Sequence, residues 1–175
     1  MKLIEKDVFS FSGIEDLYVP KNVEELKDGL FDYSLKIKTM SISPTNKNFK
    51  YLDDEHQIVV GKSDTNQEIF DVIIFASRNI KHVTIPKYIK CKYSNAFKYC
   101  NKLETIDIPD DSQIETIGSH AFSETSLLYF KVPQKVCKYD FLSENQKLLC
   151  LEFLGDSVID DKEISIFDEF ENLFL

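Results

Sequence analysis

Apolar residues along this chain fall into a short spaced pattern that returns every twenty-odd positions. Ile14, Leu17 and Val19 precede Pro20 with the spacing apolar-x-x-apolar-x-apolar-Pro. The pattern recurs as Ile80, Val83, Ile85, Pro86, as Leu103, Ile106, Ile108, Pro109, and as Leu127, Phe130, Val132, Pro133. Ile37, Met40 and Ile42 repeat it with Pro44 one place late, Leu148, Leu151 and Phe153 repeat it without proline, and Leu173 opens a seventh copy. Successive starts are 23, 43, 23, 24, 21 and 25 residues apart, so the one long interval holds a repeat plus an insertion.

A second pattern keeps step with the first. Apolar residues stand eight and five places before an aromatic in Val23, Leu26, Phe31 and in Ile114, Ile117, Phe122, and Ile4 stands five before Phe9. Ala96-Phe97 and Ala121-Phe122 share a small-then-Phe pair, and Phe97, Cys100, Leu103 share their spacing with Phe167, Phe170, Leu173.

Alternation of apolar and polar residues predicts a strand with one buried face, and proline ends it because it has no N–H for a ladder. Such a strand cannot bury its apolar face alone, whereas copies stacked side by side form a parallel sheet over continuous apolar columns. The Ala-Phe segments are expected to be short helical or 3₁₀ turns closing the opposite side of each coil. One strand per period of this length predicts an α/β leucine-rich-repeat solenoid of about six coils, the last incomplete, with residues 1–175 as a single domain. Leu17, Met40, Val83, Ile106 and Phe130 are then expected in one file.

Coils such as Ile114-x-x-Ile117-Gly118-x-x-Ala121-Phe122, followed by Leu127-x-x-Phe130-x-Val132-Pro133, resemble the BspA-type leucine-rich repeats of bacterial and protist surface proteins. Asn48-Phe49-Lys50-Tyr51-Leu52-Asp53-Asp54 is similar to the insert such proteins carry between coils. The likeness extends over nearly the whole chain and is best over residues 49–136. It implies a right-handed curved solenoid, an adhesive or host-contact role at a cell surface, and no catalysis.

In the long interval, residues 45–78, the Ala-Phe turn is replaced by Phe49-x-Tyr51, Ile58-Val59-Val60 and Phe70-Asp71-Val72-Ile73-Ile74-Phe75. Asp53-Asp54-Glu55-His56 and the polar stretch 61–66 separate them, which reads as strand, turn and strand. A β-hairpin insertion is expected, either packed onto its coil or protruding as a contact surface.

Composition narrows the function classes. Twenty-one Lys and Arg against 30 Asp and Glu give a net charge of −9, which disfavours nucleic acid and anionic membrane surfaces as partners. Fourteen Phe and 8 Tyr supply enough apolar surface to exclude intrinsic disorder. The apolar run Val72–Ala76 is far too short for a membrane span. The start, MKLIEKDVFSFSG, has no apolar stretch of signal-peptide length. The chain is thus expected to be cytoplasmic, or to be a piece of a longer surface protein whose export signal lies elsewhere. Residues 152–175 hold eight acids and one base, interleaved with Val158, Ile159, Ile164, Ile166, Phe167, Phe170 and Leu173, as in another coil with a solvated skin.

Candidate chemistry is sparse. Cys91, Cys100, Cys137 and Cys150 form no C-x-x-C pair, and His56, His82 and His120 are too scattered for a zinc site. The Asp53–His56 cluster lacks the spacing of a calcium loop and reads as a solvated turn. Cys100 shares its repeat position with Thr125 and Phe170 and reads as a small buried side chain. No nucleophile elbow, zincin helix or phosphate loop is present, so no catalytic residue, metal or cofactor is expected.

The remaining candidate is the strand face. Residues between the buried ones point onto the expected concave surface as Asp16/Tyr18, Thr39/Ser41, His82/Thr84, Thr105/Asp107, Tyr129/Lys131 and Cys150/Glu152. Tyrosine combines large contact area with a polar tip, which suits protein recognition. Tyr18, His82, Thr84, Thr105, Asp107, Tyr129 and Lys131 are therefore the expected protein-binding residues. The alternative roles are a structural or assembly element and an intracellular repeat scaffold, and unfinished ends allow end-to-end self-association.

Overall fold

Alternation within very short strands sets the architecture. The structure, a computed structural model, describes residues 2–136, 140–145 and 147–155. The first strands are β1 (Leu3–Ile4), β2 (Asp16–Val19), β3 (Glu25–Leu26) and β4 (Thr39–Ile42). The middle of the chain adds β5 (Phe49–Tyr51), β6 (Ile58–Gly61) and β7 (Val72–Ala76). Then come β8 (His82–Thr84), β9 (Cys91–Lys92), β10 (Thr105–Asp107), β11 (Thr116–Ile117), β12 (Tyr129–Val132) and β13 (Cys150–Phe153). The result is a β-solenoid of about six turns with mostly parallel strands. The seventh copy at Leu173, Phe167, Phe170, Cys137 and the acidic segment beyond residue 155 lie outside the described residues.

The repeated pattern places its members in register. Leu17 pairs with Met40 in β2–β4, Val83 with Ile106 in β8–β10, and Phe130 with Leu151 in β12–β13. Single backbone bonds join these pairs, from Arg78 N to Lys38 O (3.4 Å) and from Ser126 N to Leu103 O (3.1 Å). The alternate residues are exposed, as the eBeB burial of Asp16–Val19 and Thr39–Ile42 shows.

Most of the described coils also carry a second strand that the first pattern does not reveal. β1 pairs with β3 in parallel, and β7, β9 and β11 form another parallel ladder. Leu26 and Ile117, the residues five before an aromatic, are the buried members of β3 and β11. Just past the paired strands β9 and β11, Gly118 lies against Ser94, and a Cβ there would meet the Ser94 backbone nitrogen at 2.3 Å.

The expected helical turns are almost entirely absent. Among the described residues one 3₁₀ turn occurs, at Asp140–Leu142, and the other coils close with separate i→i+3 turns. The reason lies in the backbone. Asp7, Gly29, Asn95 and His120 have positive φ, and so do Phe11, Tyr33, Tyr99 and Glu124 four residues later. A left-handed residue every fourth position cannot continue a right-handed helix. The turns stack instead by bonds such as Phe97 N to Ala121 O (2.8 Å) and Phe122 N to Phe141 O (2.9 Å). Inside them Phe97 and Phe122 stack at 5.0 Å, and both are fully buried.

Between β4 and β8, the strands β5, β6 and β7 pair antiparallel. β6 and β7 are buried along their whole length, which is why Val72–Ala76 is a continuous apolar run. Ile58, Val60, Ile73 and Ala76 join the core that runs on to Leu151, whereas Val59, Val72, Ile74 and Phe75 join the core of the first coils. These strands are thus a wall between two hydrophobic clusters. A bulge keeps the faces matched: Val59 pairs with Phe75 and Val60 with Ile73, leaving Ile74 as the extra residue.

One carboxylate anchors this wall. Asp71 is buried, accepting bonds from Ser63 N (2.9 Å) and Ser63 Oγ (2.8 Å), with Lys90 Nζ at 3.5 Å. Burial pushes its carboxyl up, but the Ser63 bonds and the Lys90 charge outweigh that, and the pKa lies below the ordinary carboxylate value.

Two outcomes are expected. Gly118→Ala forces the Ser94 backbone apart and lowers stability by about 1–3 kcal/mol, read as a lower urea midpoint. Because the folded pKa of Asp71 is depressed, its contribution is complete above the unfolded value near 4 and is lost as pH falls through the folded one. Asp71→Asn is therefore expected to be less stable at pH 7 and to lose less stability between neutrality and acid than the parent, measured by urea unfolding across that range.

Candidate strand-face site

The outward positions of β8 and β10 lie side by side because the two strands pair in register, Thr105 with His82 and Asp107 with Thr84. His82 bridges them. Its Nδ1 lies 2.6 Å from Thr105 Oγ1, and its Nε2 lies 3.4 Å from Thr84 Oγ1 and 3.6 Å from Asp107 Oδ2. The imidazole and the carboxylate stay open to solvent, with side chains 53% and 67% exposed. Three of the seven expected residues, His82, Thr84 and Thr105, therefore form one hydrogen-bonded cluster on the strand surface, with the Asp107 carboxylate beside it.

Tyr129 and Lys131 follow on β12. The Tyr129 hydroxyl donates to Glu152 Oε2, one rung further on. Desolvation first, and then the Glu152 carboxylate, push the phenol up to about 12, so it stays a neutral donor at physiological pH. Lys131 Nζ donates to Asp110 Oδ1 at 2.8 Å, and that bond holds the ammonium pKa above its ordinary value. Asp107, Tyr129 and Lys131 share the rim of a depression of about 240 Å³ with Ile106 and Pro109. Tyr18 stands apart. It is 59% exposed on β2, opposite Ser41 of β4, and that rung precedes β8 in the chain by the whole antiparallel segment.

Asp110 and Glu152 complete the surface and were not among the expected binding residues. Glu152 follows from register, since it pairs with Lys131 in β12–β13. Asp110 lies beyond Pro109 and outside any strand, and its only sequence signal is Lys131 one repeat later. The same one-coil spacing produces the pairs Lys38–Glu15 (2.6 Å), Lys87–Asp111 (2.9 Å) and Lys135–Glu115 (3.0 Å) along the side of the solenoid.

The other singled-out residues have structural settings. Asp53 closes its turn by accepting from Gln57 N (2.8 Å), and Tyr51 meets His56 edge-on at 4.3 Å. Cys100 is fully buried, with its thiol pushed up by desolvation, and contacts the carbonyls of Ala76 and Ser77. Cys150 is half-buried on β13. Among the described residues no three His, Cys, Asp or Glu side chains are grouped to hold a metal ion, and no helix is long and apolar enough to cross a membrane.

With this geometry in place, comparison with known proteins adds three likenesses of fold. A leucine-rich repeat protein of Eubacterium ventriosum superposes with a TM-score of 0.68 at 21% identity over 87% of this chain. The pneumococcal vaccine antigen PcpA does so with 0.65 at 19% over 87%, and a leucine rich cell surface protein of Faecalibacterium prausnitzii with 0.61 at 13% over 98%. The chain spans 39%, 42% and 55% of the lengths of these three proteins. No curated protein matches the sequence. Residues 1–54 and 61–146 match the BspA type leucine rich repeat region in 6 copies, and the chain belongs to that family.

Proposed function

We propose that this chain is a non-catalytic protein-interaction module whose concave strand face docks a protein partner in adhesion or host recognition. Leucine-rich repeat proteins are generally non-catalytic interaction modules. The observation that carries the reading is the joined surface of β8, β10 and β12. There His82, Thr84 and Thr105 hold one another in place, and Asp107, 3.6 Å from the imidazole, joins Tyr129 and Lys131 at the rim of a shallow depression.

Fixed donors and acceptors around an exposed tyrosine suit docking, because little side-chain entropy is left to lose when a partner arrives. The same groups suit chemistry poorly. Asp107 lies at 3.6 Å from the imidazole, beyond hydrogen-bond reach, and the Thr105 hydroxyl sits on an open surface without a cavity to exclude water. The cell-surface description of the Faecalibacterium protein and the antigen status of PcpA support an external setting for the reading.

The test is binding of the whole chain to host cells, and to a partner isolated from them, by surface plasmon resonance. Tyr129→Ala and Asp107→Ala are each expected to weaken binding at least ten-fold, about 1.4 kcal/mol, with the circular dichroism spectrum unchanged. Binding that survives both changes overturns the concave-face assignment.

A further inference from the structure

The turn side of the solenoid carries an aromatic pair that neither the core nor the strand face uses. Phe11 and Tyr33 stand one coil apart with ring centroids 4.8 Å apart and planes 9° from parallel. They are 79% and 62% exposed. Both rest on left-handed backbone, at φ 55° and 58°, a region that bulky residues rarely occupy and that costs free energy. The same turn position is left-handed in later coils, where it holds Tyr99 and Glu124, so the coil sets the backbone, and what distinguishes Phe11 and Tyr33 is an exposed, stacked pair of rings. Filling the core does not account for the rings, since Phe9 and Phe31 already pack on the inner side of the same turns. A stacked aromatic pair left open to solvent points to a role in contact with something outside the chain.

A polar cavity of about 230 Å³ opens beside Tyr33, lined among others by Asp32, Asn95, Lys98, His120 and Glu144. Its groups are held in place. The Asn95 amide donates to Asp32, Lys98 Nζ lies 3.4 Å from Glu144, and Ser143 Oγ lies 2.7 Å from His120 Nδ1. With Lys6 added, two ammonium groups face two carboxylates, so the cavity favours neither a simple anion nor a simple cation. It suits a neutral ligand rich in hydroxyls, each able to accept from an ammonium or amide and donate to a carboxylate. The flat ring beside it suits the carbon–hydrogen face of a sugar.

We propose that Tyr33, backed by Phe11, and the adjoining polar cavity form a glycan-binding site, in which one pyranose ring stacks on Tyr33 while a neighbouring one places its hydroxyls against Asp32, Asn95 and Glu144. The site lies on the turns and is independent of the strand-face reading.

The test is a titration of the whole chain, followed by NMR, with cellotetraose, chitotetraose and mannotetraose, and with sorbitol as an open-chain polyol of similar hydroxyl content. At least one oligosaccharide is expected to shift the Phe11, Tyr33 and Asn95 side-chain signals while sorbitol does not. Tyr33→Asn is expected to weaken that binding at least ten-fold while the unfolding temperature stays the same or rises, because asparagine accepts the left-handed backbone. Tyr129→Ala, on the strand face, is expected to leave it unchanged. No shift with any of the three sugars, an equal response to sorbitol, or binding unaffected by Tyr33→Asn overturns the assignment. A Tyr33→Asn chain that binds as before and melts lower would place the rings in coil stability instead.

Discussion

Stacking register is the constraint from which the rest of this molecule follows. A four-residue strand such as Asp16–Val19 buries Leu17 and Val19 only because Met40 and Ile42 lie beside them. Each coil gains little alone, and the apolar columns exist only when equivalent residues of neighbouring coils meet. Everything that differs between coils must respect that register. Phe141 takes the turn position that alanine fills at Ala121, and Leu142 the one that Phe122 fills, so the rings and the aliphatic chains exchange places while the column stays closed. Gly118 shows how small the tolerance is, since even one methyl group would enter the backbone of the coil before it.

The antiparallel strands obey the same rule by a different route. β7 enters the second ladder as the parallel neighbour of β9, so the coils beyond it continue undisturbed. Its other edge is occupied by β6, so β3 makes no ladder with it. Side chains span that break. Tyr93 OH donates to Leu26 O (2.9 Å), and Ser94 donates through its amide (2.7 Å) and hydroxyl (2.9 Å) to Asp28. Arg78, the sole arginine, secures the far side of the same segment through the carbonyls of Ala76 (3.2 Å) and Ala96 (3.1 Å).

The repeated strand was legible because its signal is spread over many copies, and each apolar residue in the pattern has a partner one coil away. The second ladder was less so. Glu25–Leu26 and Thr116–Ile117 are two residues long, too short for alternation to register, and only the fixed distance from Leu26 to Phe31 and from Ile117 to Phe122 betrays them. The turns misled because Ala96 is a good helix former and the small-then-Phe pair recurs, whereas their conformation is decided by single left-handed residues such as Asn95 and Tyr99. The bulge at Ile74 left no trace in a run of five apolar residues, where either face is equally hydrophobic. On the strand face, register alone brought His82, Thr84, Thr105 and Asp107 together. Asp110 went unseen because it reaches Lys131 from a loop, where periodicity carries no information.

A repeat protein normally transmits disturbance along its length, each coil leaning on the next. Here β6 and β7 act as a bulkhead. Side chains of the wall divide between two hydrophobic interiors, Val59, Ile74 and Phe75 in one and Val60, Ile73 and Ala76 in the other, while Cys91 and Tyr93 from beyond it also pack against the first. The strand-face cluster around His82 and Asp107 rests on a compartment with its own Phe97, Phe122 and Phe130 core, tied to the first coils through Tyr93 and Ser94. The chain is built as two adjoining rooms with one partition, and the surface proposed to meet a partner belongs mostly to the larger of them.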